Sequence, residues 1–364
     1  MPTNMCYARE VKRLQLKLWH ALSMSAVCIV IALGCTPLLH ALINFFSIES
    51  ESGQASNALS VSDTTASGNS AIRFAAQSTA ADITLALAGD IQLPTNNLLH
   101  ALSTSNLVMN TIRPDYVLVL GDNQYDNGTL SDFNNYYSQT WGRPAIKSIT
   151  YPVPGNHEYN TSGATGYYSY FNAANNSING HTVTGPAHQG YYAFDIGQWR
   201  VYAMNSEANL AAQNTWMAAD MAANPRQCKM FTIHRPYWDY GTTHDGEMNS
   251  ADEVALFRTF YDNGGDLLFA GHEHNYQRFM AANPNTNTAT ATGIQSFIVG
   301  TGGTTNMYNV WGSTINNAHN LIQTYDGSTW GVLRVVLKAD NSYTWAFMPV
   351  DGGTYTDSGS GTCH

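Results

Sequence analysis

Five short polar clusters contain most of the residues in this chain that could do chemistry together. They are separated by tens of residues, and they combine carboxylates, amides, imidazoles and a phenol. Their candidate side chains are, in order, Asp90; Asp122, Asn123 and Tyr125; Asn156 and His157; His234; and His272 and His274. Oxygen and nitrogen donors of these kinds are suited to binding metal ions. The clusters therefore predict a metal site, provided that the fold brings them together.

Each cluster comes directly after an extended segment. Four of them follow apolar runs that are typical of buried strands, and the fifth follows a weaker extended stretch with two prolines. These segments are residues 83–88, 116–120, 149–154, 228–233 and 267–270. In open α/β sheets, ligands bind outside the carboxyl ends of the strands. The positions of the clusters and the predicted strands therefore support each other.

Helical patterns alternate with these strands. The predicted helices cover residues 96–112, 130–141, 210–223 and 251–263, and two hairpins are predicted at 191–205 and 331–348. Strands that alternate with helices and hairpins predict an α/β (α+β) fold in which two stacked mixed β-sheets are flanked by helices. We assign residues 82–364 to this domain, which is long enough to enclose a sizeable core.

The segments before this domain are expected to serve export. Basic residues at 9–17 precede an apolar run at 21–46, so residues 1–48 are predicted to be an export signal or a membrane anchor. The sequence leaves open whether this segment is a signal or an anchor. In either case the protein is expected to be extracellular, periplasmic or anchored facing outside. Residues 49–81, rich in Ser, Ala and Thr, are predicted to form a disordered linker.

Charge bears on the possible binding partners, and cysteine content bears on disulfide formation. The chain has 16 Lys and Arg against 26 Asp and Glu, a formal net charge of −10, and no basic cluster outside its N-terminus. This gives no electrostatic footprint for nucleic-acid binding. Cys228 and Cys363 are the two cysteines of the predicted domain. In an exported chain they can form one disulfide, and two buried free thiols are the alternative.

Taken singly, each cluster has an ordinary explanation, such as a turn or a buried histidine. Together they resemble the calcineurin-like metallophosphoesterases and, within them, the purple acid phosphatases. The motifs that carry this resemblance are Gly121-Asp122-x-x-Tyr125, Gly155-Asn156-His157-Glu158, His234-Arg235-Pro236-Tyr237 and Gly271-His272-Glu273-His274. It implies a metallophosphoesterase-like sandwich with two bound metal ions.

The resemblance also implies which side chains bind each metal. One metal would take Asp90, Tyr125 and His274, the other would take Asn156, His234 and His272, and Asp122 would bridge the two. A phenolate ligand favours Fe(III) in the first position, with Zn, Mn or Fe(II) in the second. One departure is Gln92, where the wider superfamily has a histidine. Gln92 is therefore either a weak ligand or a wall of the site.

The activity implied is hydrolysis of small phosphate esters, as in an acid phosphatase, by a metal-activated hydroxide. His157 would contact the phosphate or protonate the leaving group, or else orient Asp122; His244 would face the substrate, and Asn123 would contact the phosphate. One alternative is a phosphodiesterase or nucleotidase in which tyrosines of residues 159–170 and 237–240 stack on a base. Another is a catalytically silent surface binding protein, tethered to a membrane through residues 21–46.

Overall fold

The computed structural model describes residues 58–62, 70–74, 81–95, 98–173, 176–244, 246–308 and 311–364. The predicted export segment lies outside the described residues. Contacts divide the chain into two units, Met1–Gln77 and Ser78–His364. None of the helices in the described residues is long and apolar enough to cross a membrane.

The described residues of the first unit form an antiparallel pair, β1 (Ala58–Ser62) with β2 (Ser70–Phe74). These ten residues lie in the segment predicted to be a disordered linker, so for them the structure differs from the prediction. Apolar residues alternate with serines in Ala58–Ser62, which is the pattern of a strand. The disorder was predicted from the Ser and Thr content of the whole segment. Disorder in the rest of residues 49–81 stays a prediction.

The second unit alternates strands with short helices. Its strands are β3 (Ile83–Ala88), β4 (Tyr116–Leu120), β5 (Thr150–Val153), β6 (Ser177–Ile178), β7 (His181–Thr182), β8 (Tyr192–Ile196), β9 (Trp199–Ala203), β10 (Cys228–Thr232), β11 (Leu267–Ala270), β12 (Tyr276–Phe279), β13 (Ala282–Asn283), β14 (Thr288–Ala289), β15 (Gln295–Val299), β16 (Ile322–Asp326), β17 (Gly331–Leu337), β18 (Ser342–Pro349) and β19 (Asp357–Thr362). Its α-helices are α1 (Leu99–Leu107), α2 (Leu130–Asn135), α3 (Pro144–Lys147), α4 (Asn156–Tyr159), α5 (Thr165–Tyr170), α6 (Leu210–Ala223), α7 (Ala251–Asp262) and α8 (Ala318–Leu321).

Two mixed sheets form the body of this unit. The six-stranded sheet has the order β19-β18-β17-β3-β4-β5, and its β3-β4-β5 part is parallel. The seven-stranded sheet has the order β16-β12-β15-β11-β10-β9-β8, and its β15-β11-β10-β9 part is parallel. The carboxyl ends of the parallel strands therefore meet at one edge of each sheet, where the polar clusters follow.

The two sheets share one hydrophobic core. A single buried cluster contains Leu85 and Val119 of the six-stranded sheet together with Val201 and Phe269 of the seven-stranded sheet. A second cluster joins the seven-stranded sheet to side chains of α6 and α7 such as Met217. Because central strands such as β4, β10 and β11 are covered on both faces, their sequences are nearly continuous apolar runs. The predicted fold of stacked mixed sheets flanked by helices is confirmed.

The tyrosine-rich stretch at residues 159–170 is part of this core. The α5 tyrosines Tyr167, Tyr168 and Tyr170 are all buried. Tyr170 stacks on Phe133, Tyr167 packs against Phe171, and Tyr168 packs against Tyr167. The hypothesis that this stretch stacks on a nucleobase is therefore wrong for these three residues. Aromatic side chains crowded at helical spacing cover a sheet here instead.

The C-terminal strand was not predicted, because its sequence Asp-Ser-Gly-Ser-Gly-Thr has low β-propensity. It pairs with β18 along its whole length, and a disulfide from Cys363 to Cys228 follows it directly. The Cα atoms of the two cysteines are 5.3 Å apart, across 135 residues of chain. The predicted disulfide is confirmed, and it fixes an edge strand that its own sequence would hold weakly.

Replacing Cys363 with serine is expected to lower the free energy of unfolding by about 2–4 kcal/mol, because the closed loop is long. Cys228 begins β10, whereas His234 follows its other end, so metal content should stay unchanged. Thermal unfolding of the oxidised protein and the variant measures the difference. The parent protein in reductant is the control, since it should match the variant. Equal unfolding temperatures for variant and oxidised parent would contradict the stabilising role.

Candidate metal centre

Three of the candidate ligands lie at sharp backbone bends. Asp90 follows β3, Asp122 follows β4 and His272 follows β11, and their φ angles are 60°, 45° and 71°. This left-handed region is sparsely populated by residues other than glycine, and each such position costs about 1–3 kcal/mol. Strain of this kind clusters at functional sites. Here it turns the chain so that side chains face each other across the strand ends.

Glycines next to these bends leave room for the ligands themselves. A Cβ atom at Gly121 would collide with the ring of His234, and one at Gly155 would collide with Asp122 Oδ1. Gly121 also has a φ angle of 84°, which favours glycine. Glycine is therefore required at both positions by close approach, and at Gly121 by backbone conformation as well.

The first group of donors consists of Asp90, Tyr125 and His274. Asp90 Oδ1 is 2.8 Å from the Tyr125 hydroxyl and 3.4 Å from His274 Nε2, and the hydroxyl is 2.9 Å from that nitrogen. Adjacent ligands of an ion with bonds near 2.1 Å are roughly 3 Å apart. The three atoms therefore have the spacing of one face of a coordination sphere.

The second group consists of Asp122, Asn156, His234 and His272. His234 Nε2 is its centre, lying 3.0 Å from Asn156 Oδ1, 3.1 Å from His272 Nδ1 and 3.4 Å from Asp122 Oδ1. The Asp122 carboxylate is also near the phenol of Tyr125, which belongs to the first group, because after burial its charge is the largest cause of the raised pKa of that phenol. Asp122 thus lies between the two groups, as a bridging carboxylate must.

Backbone carbonyls determine which ring nitrogens face inward. His234 Nδ1 is 2.9 Å from Leu120 O, and His274 Nδ1 is 2.6 Å from Asn306 O. A carbonyl only accepts, so in each ring Nδ1 carries a proton, and Nε2 offers its lone pair when the ring is neutral. Such contacts orient metal-binding histidines and set their tautomer. Both inward nitrogens are therefore available to a cation.

The electrostatics of the group favour positive charge. Burial alone would lower the pKa of His234, but the charges of Asp122 and Asp90 outweigh it and raise the pKa to about 9. Burial, and then the charges of Asp122 and Asp90, raise the pKa of Tyr125 well above its ordinary value. Tyr125 therefore ionises only beside a strongly acidifying cation. Both the donor spacing and the negative charge of the two carboxylates fit two cations.

A polar network orients His272 from the outer side. Its Nε2 is 2.8 Å from Glu247 Oε2 and 3.0 Å from Arg235 Nη1, while Arg235 Nε donates to Glu207 at 2.7 Å. His272, Glu247 and His244 could by spacing hold a further cation. The guanidinium of Arg235 contacts Glu247 at the same place, so we interpret this group as a support for His272.

The two candidate catalytic histidines lie at the edges of the centre. His157 Nδ1 is 2.7 Å from Asp126 O, which leaves Nε2, 3.8 Å from Asp122 Oδ2, as its available atom. His244 Nδ1 is 2.7 Å from Glu273 Oε1, and its ring centre is 4.0 Å from that of His272. Both side chains are partly exposed, so both can meet a substrate.

The expectation for Asn123 needs correction, and the structure favours one of the two alternatives for Gln92. Asn123 is completely buried and donates to Val153 O at 3.0 Å, so it supports the loop instead of contacting a phosphate. Gln92 donates to Leu93 O and accepts from the hydroxyl of Thr140 at 2.9 Å. Its oxygen is thereby turned away from the candidate ligands, and Gln92 is a wall of the site.

Two buried glutamates had no predicted role. Glu158 accepts from the backbone N–H groups of Gln124 and Gly155, at 3.0 and 2.8 Å, and so ties together the loops of Asp122 and Asn156. Burial, with the charge of Asp122 second, raises the pKa of Glu158 to about 8. Glu273 holds His244. Both glutamates belong to the polar motifs. Their position next to candidate ligands in the sequence could have predicted a supporting role for them.

Comparison with known proteins is consistent with this site. The family model described as calcineurin-like phosphoesterase matches residues 83–276. Purple acid phosphatase 15 of Arabidopsis thaliana is 27% identical over 228 residues, covering 53% of this chain and 40% of the relative. Purple acid phosphatase 1 of Ipomoea batatas is 25% identical, covering 46% of this chain and 38% of the relative. The chain thus spans about two fifths of the length of these curated relatives.

Solved structures share the fold at low sequence identity. Purple acid phosphatase PPD1 from seeds of yellow lupin (Lupinus luteus) superimposes with a TM-score of 0.61 at 17% identity, covering 77% of this chain and 53% of that one. GAP50, described as the anchor in the inner membrane complex of Plasmodium, gives a TM-score of 0.54 at 14% identity, covering 76% of this chain and 88% of that one.

Proposed function

Because this chain belongs to the calcineurin-like phosphoesterase family, we propose that it hydrolyses phosphate esters with a pair of metal ions. The observation that carries the proposal is the convergence of seven predicted donors into two groups that share Asp122. Bound there, two cations would neutralise phosphoryl oxygens and acidify a water that serves as nucleophile. We further propose Asp90, Tyr125, Asp122 and His274 for one ion, and Asp122, Asn156, His234 and His272 for the other.

His157 has the role of protonating the leaving oxygen. Its Nδ1 is committed to the Asp126 carbonyl, so Nε2 faces the centre beside Asp122. A positioned histidine of this kind contributes about 10²–10⁴-fold to rate. The backbone N–H of His157 also donates to Asp122 Oδ1 at 3.0 Å, but that contact does not depend on the imidazole.

His244 has the role of binding the phosphoryl group or the leaving alcohol. Glu273, which is completely buried, accepts from Nδ1 of His244 and leaves Nε2 toward the open side. A narrow cleft lies beside His244 and His272, with Arg235 and Ile315 in its walls. This cleft places His244 next to the second candidate metal site, through His272.

The phenol of Tyr125 favours Fe(III) in the first position, because burial and two carboxylates oppose its ionisation with any weaker acid. Zn, Mn or Fe(II) suits the second position, where imidazole and amide donors predominate. The disulfide between Cys228 and Cys363 favours action outside the cytoplasm.

Metal analysis tests the proposal most directly. We expect two metal ions per chain, a broad visible absorption band from tyrosinate bound to ferric iron, and hydrolysis of p-nitrophenyl phosphate faster than of its bis ester. Tyr125→Phe should remove the band, and Tyr159→Phe, a change of a nearby tyrosine outside the ligand set, should not. Preference for the bis ester would favour the phosphodiesterase alternative. Protein without stoichiometric metal would favour the silent binding protein.

A further inference from the structure

Three aromatic side chains form a surface cluster that no step above uses. We call Tyr240, Trp311 and Tyr325 the aromatic platform. The ring centres of Trp311 and Tyr325 are 4.2 Å apart, those of Tyr240 and Tyr325 are 5.4 Å apart, and Tyr240 stacks over Trp311 at 6.2 Å with a 17° angle. Tyr325 is 41% exposed and the other two are half-buried. Tyr325 is inclined by 42° to Trp311 and by 55° to Tyr240. An aromatic cluster with one exposed ring, that of Tyr325, therefore remains accessible to solvent.

The backbone holds the platform in a fixed shape. The carbonyl of Tyr240 accepts from the N–H groups of Gly312 and Ser313, at 3.0 and 3.1 Å, and its own N–H donates to Gln277 Oε1 at 2.8 Å. Tyr325 lies on β16, where it pairs directly with Gln277 of β12. A preformed aromatic surface binds at a lower entropic cost than one that must be ordered by its ligand.

The platform adjoins the candidate metal centre. Gly241, next to Tyr240, forms a β-bridge with Trp311, and a Cβ atom at Gly241 would lie 2.7 Å from Glu273 Oε2. Glu273 in turn holds His244 at the centre. Cleft residues Tyr237 and Ile315 belong to the same two chain segments as Tyr240 and Trp311. The platform is therefore at the rim of the cleft, outside the donor groups.

Tyr308 extends the aromatic surface toward the ligands. Its ring stacks on that of His274 with 4.3 Å between centres and an angle of 8°, and it is 5.6 Å from the ring of His244. Gly327 lies against both the backbone carbonyl of Tyr308 and the ring of Trp311. Tyr308 thus lies between the candidate metal centre and the aromatic platform.

We propose that the aromatic platform binds a flat aromatic group carried by the alcohol part of the phosphate ester, an inference that rests on the proposed function. Aromatic faces stack on any planar ring, and nucleobases gain affinity in this way without hydrogen-bond readout. Because the platform is at the rim and not among the donor groups, it suits a ring joined to the phosphate through a spacer. A 5′-nucleotide, whose ribose is such a spacer, is the substrate class that fits.

The test compares adenosine 5′-monophosphate, phenyl phosphate and glycerol phosphate as substrates. Trp311→Ala and Tyr325→Ala should each raise KM for the nucleotide about tenfold, with kcat and the glycerol phosphate kinetics unchanged. Trp311→Phe and Tyr325→Phe keep a ring and should stay near the parent values. Thermal unfolding of all four variants establishes that they fold. Phenyl phosphate tests the spacer argument, because its ring is joined directly to the phosphate. If the alanine variants raised KM more for phenyl phosphate than for the nucleotide, the spacer argument would be overturned.

Binding of adenosine, which has no phosphate, separates this proposal from the hydrolase proposal. Calorimetry should show adenosine binding to the parent protein and about tenfold weaker binding to Trp311→Ala. If no ester is hydrolysed but this difference holds, the platform is supported and the proposed hydrolysis is wrong. An equal loss of activity on all three esters, or adenosine binding that the alanine variants do not change, would overturn the platform.

Discussion

Replacing Asp122 with asparagine is expected to lower phosphate ester hydrolysis by about 10³-fold or more and to release metal from both sites. The carboxylate lies between the two donor groups, so its loss weakens both. Two metal ions supply several kcal/mol of transition-state stabilisation, and about 1.4 kcal/mol corresponds to each factor of ten. Steady-state kinetics and elemental analysis of the purified variant measure the two effects together.

The change is designed to leave the fold intact. Asparagine has the size of aspartate and tolerates the left-handed conformation that Asp122 adopts, with φ 45°. Asp126→Asn is the matched control, because Asp126 lies on the same loop and its side chain is exposed. A variant at 122 that keeps two metals per chain and near-parental activity would refute the bridging role.

His157→Ala should lower kcat about 100-fold or more while metal content stays at the parental level. The reason is that the imidazole presents Nε2 to the centre without belonging to either donor group. If His157 protonates the leaving oxygen, the loss should be large for an alkyl phosphate and small for p-nitrophenyl phosphate. The latter has a leaving group that needs little protonation.

The comparison of the two esters also decides between the two roles of His157. An equal loss on both esters together with reduced metal content would indicate that the imidazole orients Asp122 instead. His319→Ala, a change of an exposed histidine on α8, is the control for nonspecific effects. Full activity of His157→Ala on the alkyl ester would exclude both roles.

The candidate ligands could be predicted because each is a local feature of a strand end. An apolar run followed by glycine and a polar residue specifies both the strand and the bend, as at Gly121 and Asp122. The parallel order of β3, β4 and β5 then brings such bends to one edge. Sequence patterns report short-range structure of this kind well.

The supporting contacts could not be predicted, because they join residues that are distant in sequence and have no common pattern. Arg235 reaches Glu207 and His272, and Glu158 reaches Gln124. The burial of Asn123 depends likewise on where β5 places the carbonyl of Val153. The glycine-rich strand β19 could not be predicted, because pairing with β18 and a disulfide hold it extended, whereas its local propensity does not.

The left-handed bends at Asp90, Asp122 and His272 have an evolutionary consequence. Glycine or asparagine would occupy each of these conformations at lower cost, whereas catalysis needs the carboxylate or the imidazole. Heat resistance and turnover are therefore selected in opposite directions at these positions. If the proposed hydrolysis were no longer under selection, substitutions that relieve the strain at these three positions would be favoured.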